Sequence, residues 1–256
     1  MLISYRHQFA FIHVPKTAGS SVTGALSPHA DHSQHYWANR WLARIGIQVN
    51  HYAPYRLRRF RPHASADTLR RHLPGEVFES LFKFAFVRNP WDLMVSYFHF
   101  LRASSDHATH FSHRRRLATR LPDFEAYLRY EIRRGKISQT RMLCGPRGRL
   151  LVDFLGRYET VASDYNHICR RIAIVAPLGH VNASSRRDYR EYYSDRLAAL
   201  VRDHFAEDIE RFGYDFDAGD SQTSPDASLR QPAPGGLIHG AVSILTAGPG
   251  RLRYSW

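Results

Sequence analysis

A single lysine near the start of the chain stands between an apolar run and a string of small and hydroxyl-bearing residues. The stretch FIHVPKTAGSSV spans residues 11–22, and Lys16 is followed by Thr17, Ala18, Gly19, Ser20 and Ser21. A helix that begins in such a turn presents unpaired backbone N–H groups and the positive end of its dipole, and both attract an oxyanion. The small residues let an anion approach the backbone, while the hydroxyls and Lys16 supply further donors. This pattern predicts a phosphate-binding turn; the alternative is a solvated lysine in front of a serine-capped helix.

An arginine and a serine form a second pair with phosphate-binding chemistry. In FAFVRNPWDLMVSYFHF, residues 84–100, Arg88 ends an apolar run and Ser96 lies eight residues later. This spacing places Ser96 about two turns into the helix that follows. An arginine fork can hold a phosphate through two parallel hydrogen bonds, and a serine hydroxyl from the next helix can complete the site. Alone, Arg88 could instead cap a helix or form a structural ion pair.

The residue order of the first motif separates it from the common nucleotide-binding loop. The pattern GxxxxGK[ST] has glycine directly before the lysine, whereas here Lys16 precedes the small residues. An apolar run ending in an aspartate that could hold magnesium is not obvious either. The formal net charge of +13 favours anionic ligands in general. The competing functions are therefore a P-loop-like nucleotide kinase or NTPase, and a nonenzymatic polyanion binder, although no known nucleic-acid-binding module is recognised.

Strand–turn–helix units must position both motifs. Apolar residues are nearly continuous over residues 8–14 and 82–87, as in strands buried on both faces, and each run is followed by residues at helical spacing. A third strand is predicted within residues 152–158. Other helices are predicted at residues 65–73, 123–134, 165–174 and 194–213, the last capped by Ser194 and stopped by Gly213. This alternation predicts a parallel α/β sheet with helices on both faces and ligands at the carboxyl ends of the strands.

The composition limits the class of protein. A length of 256 residues with 43% hydrophobic content fits one large domain, which we expect to end near residue 216. Residues 217–256 are rich in Ser, Pro, Gly and Asp and are expected to be disordered, whereas residues 27–61 are expected to form irregular structure over a pocket. Two cysteines outside any CxxC pair argue against a disulfide framework. Because neither a secretory signal nor a membrane-spanning apolar run is visible, we expect a soluble, cytoplasmic protein.

The two motifs together resemble those of the sulfotransferases that use 3′-phosphoadenosine 5′-phosphosulfate (PAPS). HVPKTAGSS resembles the 5′-phosphosulfate loop of that family and FVRNPWDLMVSY its 3′-phosphate motif. The closest likeness is to the carbohydrate and bacterial branch related to the heparan and chondroitin sulfotransferases. It extends through RYET and VNASSRRDYREYY and covers roughly residues 8–216. The resemblance implies a P-loop-kinase-like fold, a three-layer α/β/α sandwich around a parallel sheet.

The resemblance also implies a role for each motif residue. Lys16 would bind the oxygen that bridges phosphate and sulfate and would stabilise charge on the departing nucleotide. Residues 17–21 would hold the 5′-phosphate through backbone and hydroxyl donors. Arg88 and Ser96 would hold the 3′-phosphate, the group that distinguishes this donor from ATP.

A proton acceptor is needed because the attacking hydroxyl loses its proton. In this branch a histidine in an H-x-[ST]-A context lies just ahead of the helix that precedes the 3′-phosphate strand, and His63 in RPHASADTL matches it. The alternative is that His63 is a surface or capping histidine. His13, in the first strand, is interpreted as a core histidine with a hydrogen-bonded ring, and His99 as a packing residue on the helix of Ser96.

Three further features depart from the nucleotide motifs or extend them. Asn182, Arg186 and Tyr193 lie in the segment that resembles one closing over the nucleotide, although solvated residues before a capped helix look similar. Leu93 stands where the second motif typically has an arginine, which we expect to alter helix packing or a peripheral contact. The basic run HRRRLATR at residues 113–120 is either a solvated face or a patch for an anionic acceptor.

The sequence therefore predicts a sulfotransferase that moves a sulfuryl group from PAPS to a hydroxyl of a carbohydrate or glycolipid and releases 3′-phosphoadenosine 5′-phosphate (PAP). As in phosphoryl transfer, positioning and preorganised donors should dominate the catalysis. We expect neither a metal ion nor a specific nucleic acid to take part. Peripheral membrane contact and the oligomeric state stay open.

Overall fold

The computed structural model describes residues 1–31, 60–103, 112–179 and 187–217. The strands in this part are β1 Leu2–Ser4, β2 Phe9–Ile12, β3 Phe82–Val87 and β4 Phe154–Arg157. The helices are α1 Gly19–Leu26, α2 Ala66–His72, α3 Gly75–Ser80, α4 Pro90–Arg102, α5 Ser112–Arg120, α6 Phe124–Arg134, α7 Thr140–Leu143, α8 Val161–Arg171, α9 Asp195–His204 and α10 Ala206–Phe212. Short 3₁₀ turns add Ser27–His29, Pro146–Gly148 and Tyr189–Tyr192.

The strands form one sheet in the order β1-β2-β3-β4. The strands β2, β3 and β4 are parallel, with Phe9 opposite Phe82 and Phe84 opposite Phe154. The strand β1 pairs antiparallel with β2 at the edge of the sheet. The predicted parallel sheet is therefore confirmed, whereas β1 was not predicted, because three residues are too few to show an alternating pattern.

Side chains of the three parallel strands alternate between two cores, one on each face of the sheet. One face carries a row of phenylalanines: Phe9, Phe11, Phe84, Phe86 and Phe154. The other face carries smaller side chains: Ala10, Ile12, Ala85, Val87 and Leu155. Because residues at i and i+2 point to the same side of a strand, a continuous apolar run supplies both faces. Helices cover both cores, which confirms the predicted three-layer arrangement.

The helices that follow β2 and β3 pack on opposite faces of the sheet. Helix α1 buries Val22 and Leu26 against the phenylalanine face, whereas α4 buries Trp91, Met94 and Val95 against the other face. Adjacent parallel strands whose connections diverge in this way leave a crevice at their carboxyl ends, which is where ligands bind in open α/β sheets. We call this position the switch point.

The predicted C-terminal helix is two helices. Ser194 caps α9 by accepting the N–H of Leu197, and Gly213 ends α10 in the left-handed conformation, as the sequence indicated. Between them the backbone leaves helical geometry at Phe205, with φ −104° and ψ 22°. The apolar spacing continues across Phe205, which is itself buried, so the sequence shows no sign of the break.

Other elements differ at their ends or were not predicted. Helix α8 begins at Val161, four residues before the predicted start. Helices α3 and α5 were not predicted; α5 is a basic sequence with few apolar positions to show a period. Most of residues 27–61 and residues 218–256 lie outside the described part, so the expectations for them, including the domain end near residue 216, stay predictions. Within the described part, no helix is long and apolar enough to cross a membrane.

Candidate functional site

The turn between β2 and α1 has an unusual backbone. Lys16 and Ala18 adopt left-handed conformations, with φ 67° and 62°, which cost a non-glycine residue about 1–2 kcal/mol each. Thr17 is fully buried, and its hydroxyl donates to the carbonyl of Val14 at 2.9 Å. The Thr17 hydroxyl therefore stabilises the turn from within, and strain of this kind is concentrated at ligand-binding and catalytic sites.

The same turn presents a row of backbone donors. The first helical bond of α1 runs from Val22 N–H to Ala18 O at 3.1 Å. Among the residues that the structure describes, none accepts a hydrogen bond from the backbone N–H of Thr17, Ala18, Gly19 or Ser20. Successive N–H groups in a turn with left-handed residues form a concave anion site, and the dipole of α1 adds to it. This geometry agrees with the predicted phosphate-binding turn.

The side chain of Lys16 reaches from this turn to helix α4. Its Nζ lies 4.1 Å from the centroid of the Phe100 ring, a cation–π contact. Phe100 is 38% exposed, one of two large apolar side chains exposed to this extent in the described ranges. The lysine ammonium is thus held beside the last turns of α4.

Arg88 joins the two predicted motifs directly. Its Nη1 donates to the backbone carbonyl of Lys16 at 2.9 Å and to the hydroxyl of Ser96 at 3.1 Å. The side chain is 3% exposed, so both bonds lie in a protected environment. The pair predicted from its spacing, Arg88 and Ser96, is therefore in contact, and the same guanidinium touches the turn that carries Lys16.

The Arg88 guanidinium is also part of an ion pair. Its Nε and Nη2 donate to the same carboxylate oxygen of Asp92, at 2.7 and 2.6 Å, and its Cζ lies 3.6 Å from the centroid of the Tyr158 ring. The structural ion pair considered as an alternative for Arg88 is thus present, together with the contact to Ser96. Asp92 was missed, although its position four residues after Arg88 was a usable signal.

Two side chains distant in sequence fix the backbone around Arg88. The amide of Gln139 accepts the N–H of Arg88 at 2.9 Å and donates to its carbonyl at 2.8 Å. Gln139 is in turn held by Asp208 of α10, whose carboxylate accepts the backbone N–H groups of Gln139 and Thr140 at 2.8 Å. The side chains of Arg88, Gln139 and Asp208 are all buried. Nothing in the local sequence indicates this relay, because its members are brought together only by the tertiary fold.

Glu159, in the RYET segment, ties the end of β4 to the same region. Its carboxylate accepts the N–H of Asn89 at 2.8 Å and the hydroxyl of Tyr214 at 3.3 Å. Burial raises the pKa of Glu159, although the Asn89 N–H and the charge of Arg88 act in the opposite direction. Glu159 therefore supports the turn after β3.

His63 lies at the edge of the Lys16 turn with its ring exposed. Its Nδ1 is 3.1 Å from the backbone carbonyl of His13. Because a carbonyl only accepts, this hydrogen bond requires the proton of the neutral ring on Nδ1 and leaves the Nε2 lone pair available. Ser65 starts α2 two residues later by accepting the N–H of Thr68 at 3.2 Å. The structure thus brings the predicted base to the turn in a tautomer that can accept a proton.

The interpretation of His13 as a core histidine with a hydrogen-bonded ring is wrong. Strand β2 ends at Ile12, and the His13 ring is only partly buried. It lies edge-to-face against His63, with centroids 4.5 Å apart, and it stacks on Phe11. A Cβ built on Gly19 would lie 1.9 Å from the ring, so the ring can keep this position only above a glycine. No hydrogen bond from the ring to a described residue is present.

Replacing His13 by phenylalanine is expected to reduce acid destabilisation. Burial, followed by the charges of His63 and the N-terminus, lowers the pKa of His13 from 6.5 to about 3. Between these values the unfolded state binds the extra proton, so stability falls as the pH drops, by up to about 1.4 kcal/mol per pH unit. Urea unfolding at about pH 7 and about pH 5 measures the difference. An unchanged pH dependence in His13→Phe would contradict the expectation.

The remaining predicted residues have different outcomes. Tyr193 donates its hydroxyl to the carbonyl of Trp91 at 2.9 Å, so it braces the first turn of α4. Arg186 and Asn182 lie outside the described residues. His99 packs as expected and shares a hydrogen bond of 2.8 Å with the hydroxyl of Tyr192. Leu93 is buried in the core, in agreement with the expected effect on helix packing.

The basic run at residues 113–120 is only partly a solvated face. Arg114 forms an ion pair of 2.7 Å with Glu131, a buried residue that also binds Arg134 at 2.8 Å. Arg116 and Arg120 are exposed. The run therefore contributes one arginine to the contact between α5 and α6, because a buried carboxylate requires cationic partners.

The predicted absence of a metal ion stays a prediction. In the part of the chain described, no group of three or more His, Cys, Asp or Glu side chains could hold a metal ion. The donors brought together at the switch point are cationic groups and N–H or O–H groups, which suit an anion.

Comparison with known proteins gives one match. The sequence model of a family described as the sulfotransferase family matches residues 1–215. Searches of curated proteins and of solved structures return no match. The matched residues include both turns at the switch point.

Proposed function

Because the chain belongs to the sulfotransferase family, we propose that it transfers the sulfuryl group of PAPS to a hydroxyl of a carbohydrate or glycolipid. The observation that carries this proposal is the contact of 2.9 Å between Arg88 Nη1 and the Lys16 carbonyl. It joins the turns after β2 and β3, and both turns offer donors for phosphate. One ligand with two separate phosphate groups accounts for this pairing better than a single phosphate does.

Each turn takes one end of the donor in this proposal. The backbone N–H groups of residues 17–20 hold the 5′-phosphate, with the hydroxyls of Ser20 and Ser21 beside them. Arg88 and Ser96, already joined at 3.1 Å, hold the 3′-phosphate. Asp92 neutralises part of the Arg88 charge, so Arg88 acts as an oriented hydrogen-bond donor as well as a cation. Tyr193 and Arg186 belong to the segment proposed to close over the nucleotide.

The chemical step needs a stabilised leaving group and a proton acceptor. The bond between sulfur and the acceptor oxygen forms as the bond between sulfur and the phosphate oxygen breaks. Lys16 binds that departing oxygen and offsets its developing negative charge. His63 takes the acceptor proton on Nε2, and its Nδ1–H remains bonded to the His13 carbonyl. No metal ion has a role in this scheme.

The acceptor and the cellular compartment are parts of the same proposal. Support for a carbohydrate or glycolipid comes from the likeness of both motifs to the carbohydrate branch. A cytoplasmic location is supported by Cys144 and Cys169, which are buried free thiols and suit a reducing compartment. The net charge of +13 suits an anionic donor, and we propose no specific nucleic acid as a partner.

Thermal stabilisation by nucleotides tests the identity of the donor. PAP at about 100 times its dissociation constant should stabilise the protein by about 2.7 kcal/mol. ADP at the same concentration should stabilise it much less, since ADP lacks the 3′-phosphate that Arg88 and Ser96 bind. Magnesium ATP is the comparison for a kinase and DNA at low salt is the comparison for a polyanion binder. Stabilisation by ATP equal to that by PAP would contradict the proposal.

A further inference from the structure

We propose that the imidazole of His13 is a positioning residue for the reaction, which fixes the orientation of His63 relative to the Lys16 turn. This inference rests on the proposed function, since it gives His63 the role of base. It assigns to His13 a function that the sequence did not suggest.

The contacts of His63 leave its ring poorly fixed without His13. The ring is exposed, and one hydrogen bond joins its Nδ1 to a backbone carbonyl. One hydrogen bond alone does not stop the ring of His63 from turning, and any turn of the ring would move its Nε2. The His13 ring lies edge-to-face against His63, with an interplanar angle of 66° and centroids 4.5 Å apart. This contact restricts the rotation that the hydrogen bond permits.

The His13 ring is itself firmly placed. It stacks on Phe11, with centroids 5.7 Å apart and an interplanar angle of 17°, and Phe11 is fully buried in β2. On another side it fills the space over Gly19, where an added Cβ would lie 1.9 Å from both Cδ2 and Nε2 of the ring. The ring thus links the buried sheet, the first residue of α1 and the exposed base.

The neutral state of His13 suits this role. Its lowered pKa keeps the ring uncharged at neutral pH. When His63 takes the proton of the acceptor, an uncharged neighbour 4.5 Å away adds no like-charge repulsion. A lysine or arginine in the place of His13 would oppose the same proton transfer.

A double-mutant cycle on His13 and His63 tests the inference. The kcat and the KM for PAPS are measured for the wild type, His13→Ala, His63→Ala and the double variant. We expect His13→Ala to lower kcat by about 10- to 100-fold, the cost of misplacing a catalytic group by about 1 Å, with KM for PAPS unchanged. In the His63→Ala background the same substitution should have no further effect, because a positioning residue acts only through its partner.

Conservative variants separate positioning from folding. His13→Phe keeps a flat ring on Phe11 and over Gly19 and should recover most of the rate. His13→Leu keeps apolar volume without the ring and takes the place of His13→Ala if the alanine variant unfolds; it should lose rate as His13→Ala does. The control is His167→Ala, in which a histidine stacked on a phenylalanine at 5.0 Å is removed from helix α8; its rate should equal that of the wild type.

Four results would count against the inference, and each identifies what has failed. An equal loss from His13→Ala in both backgrounds, or a His13→Phe variant as slow as His13→Ala, overturns the role of His13 alone. A His63→Ala variant with full turnover removes the base and this inference with it. Failure of PAP to stabilise the wild-type protein overturns the proposed function itself.

Discussion

Lys16→Ala is expected to lower the kcat of sulfuryl transfer by about 10³-fold, the scale of losing one preorganised group that stabilises transition-state charge. The substitution leaves the backbone donors of residues 17–20 and the Lys16 carbonyl in place. PAP should therefore still stabilise the variant nearly as much as the wild type. A steady-state assay with PAPS, together with thermal unfolding in PAP, measures both quantities.

Two controls accompany this prediction. Lys16→Arg keeps the positive charge and should recover part of the rate, since arginine can also lie over the Phe100 ring. Lys136→Ala removes an exposed lysine beyond the end of α6 and should have no effect. A Lys16→Ala enzyme with wild-type kcat would show that the departing nucleotide is stabilised elsewhere.

Arg88→Ala should have the largest effect on stability and should also remove the preference for a 3′-phosphate. Asp92, whose side chain is 14% exposed, would lose its ion pair with Arg88, and breaking a buried ion pair costs about 3 kcal/mol. The Lys16 carbonyl and the Ser96 hydroxyl would lose the same donor. Urea unfolding measures the loss of stability, and the difference between PAP and ADP in thermal shift measures the loss of preference.

The double variant Arg88→Ala/Asp92→Ala distinguishes the two roles of Arg88. Removing the carboxylate that has lost its ion pair with Arg88 should restore part of the stability, because one buried charge fewer then has to be stabilised. It should not restore the preference for PAP over ADP. If the double variant bound PAP as tightly as the wild type, Arg88 would be a structural residue and the 3′-phosphate would bind elsewhere.

Much of the fold could be predicted because local patterns and tertiary structure agree. The apolar runs before Lys16 and Arg88 are buried on both faces in the parallel sheet, and their continuity is the signal of such strands. Proline at the start of α4 and glycine after α6 also mark ends correctly. The break at Phe205 could not be predicted, since the apolar spacing runs through it.

The candidate site could be predicted only where its residues share a local motif. Lys16, Arg88 and Ser96 lie in two short stretches, and the structure brings these stretches into contact. Gln139 lies 51 residues from Arg88 along the chain, and Asp208 lies a further 69 residues beyond Gln139, so no local pattern identifies them. His13 was misjudged for another reason: a histidine at the end of an apolar strand has the same sequence context whether its ring enters the core or lies over a turn.

The relay from Asp208 through Gln139 to Arg88 has a consequence for protein engineering. The N-terminal part of the chain, which carries both motifs, is not an independent module, because Asp208 of α10 helps to fix the backbone at the end of β3. A truncated fragment that ends before Asp208 would retain both motifs and still lose the hydrogen bonds that fix the backbone of Arg88. Chimeras with related proteins should therefore exchange surface segments only. Residues 139 and 208 should both come from the same protein.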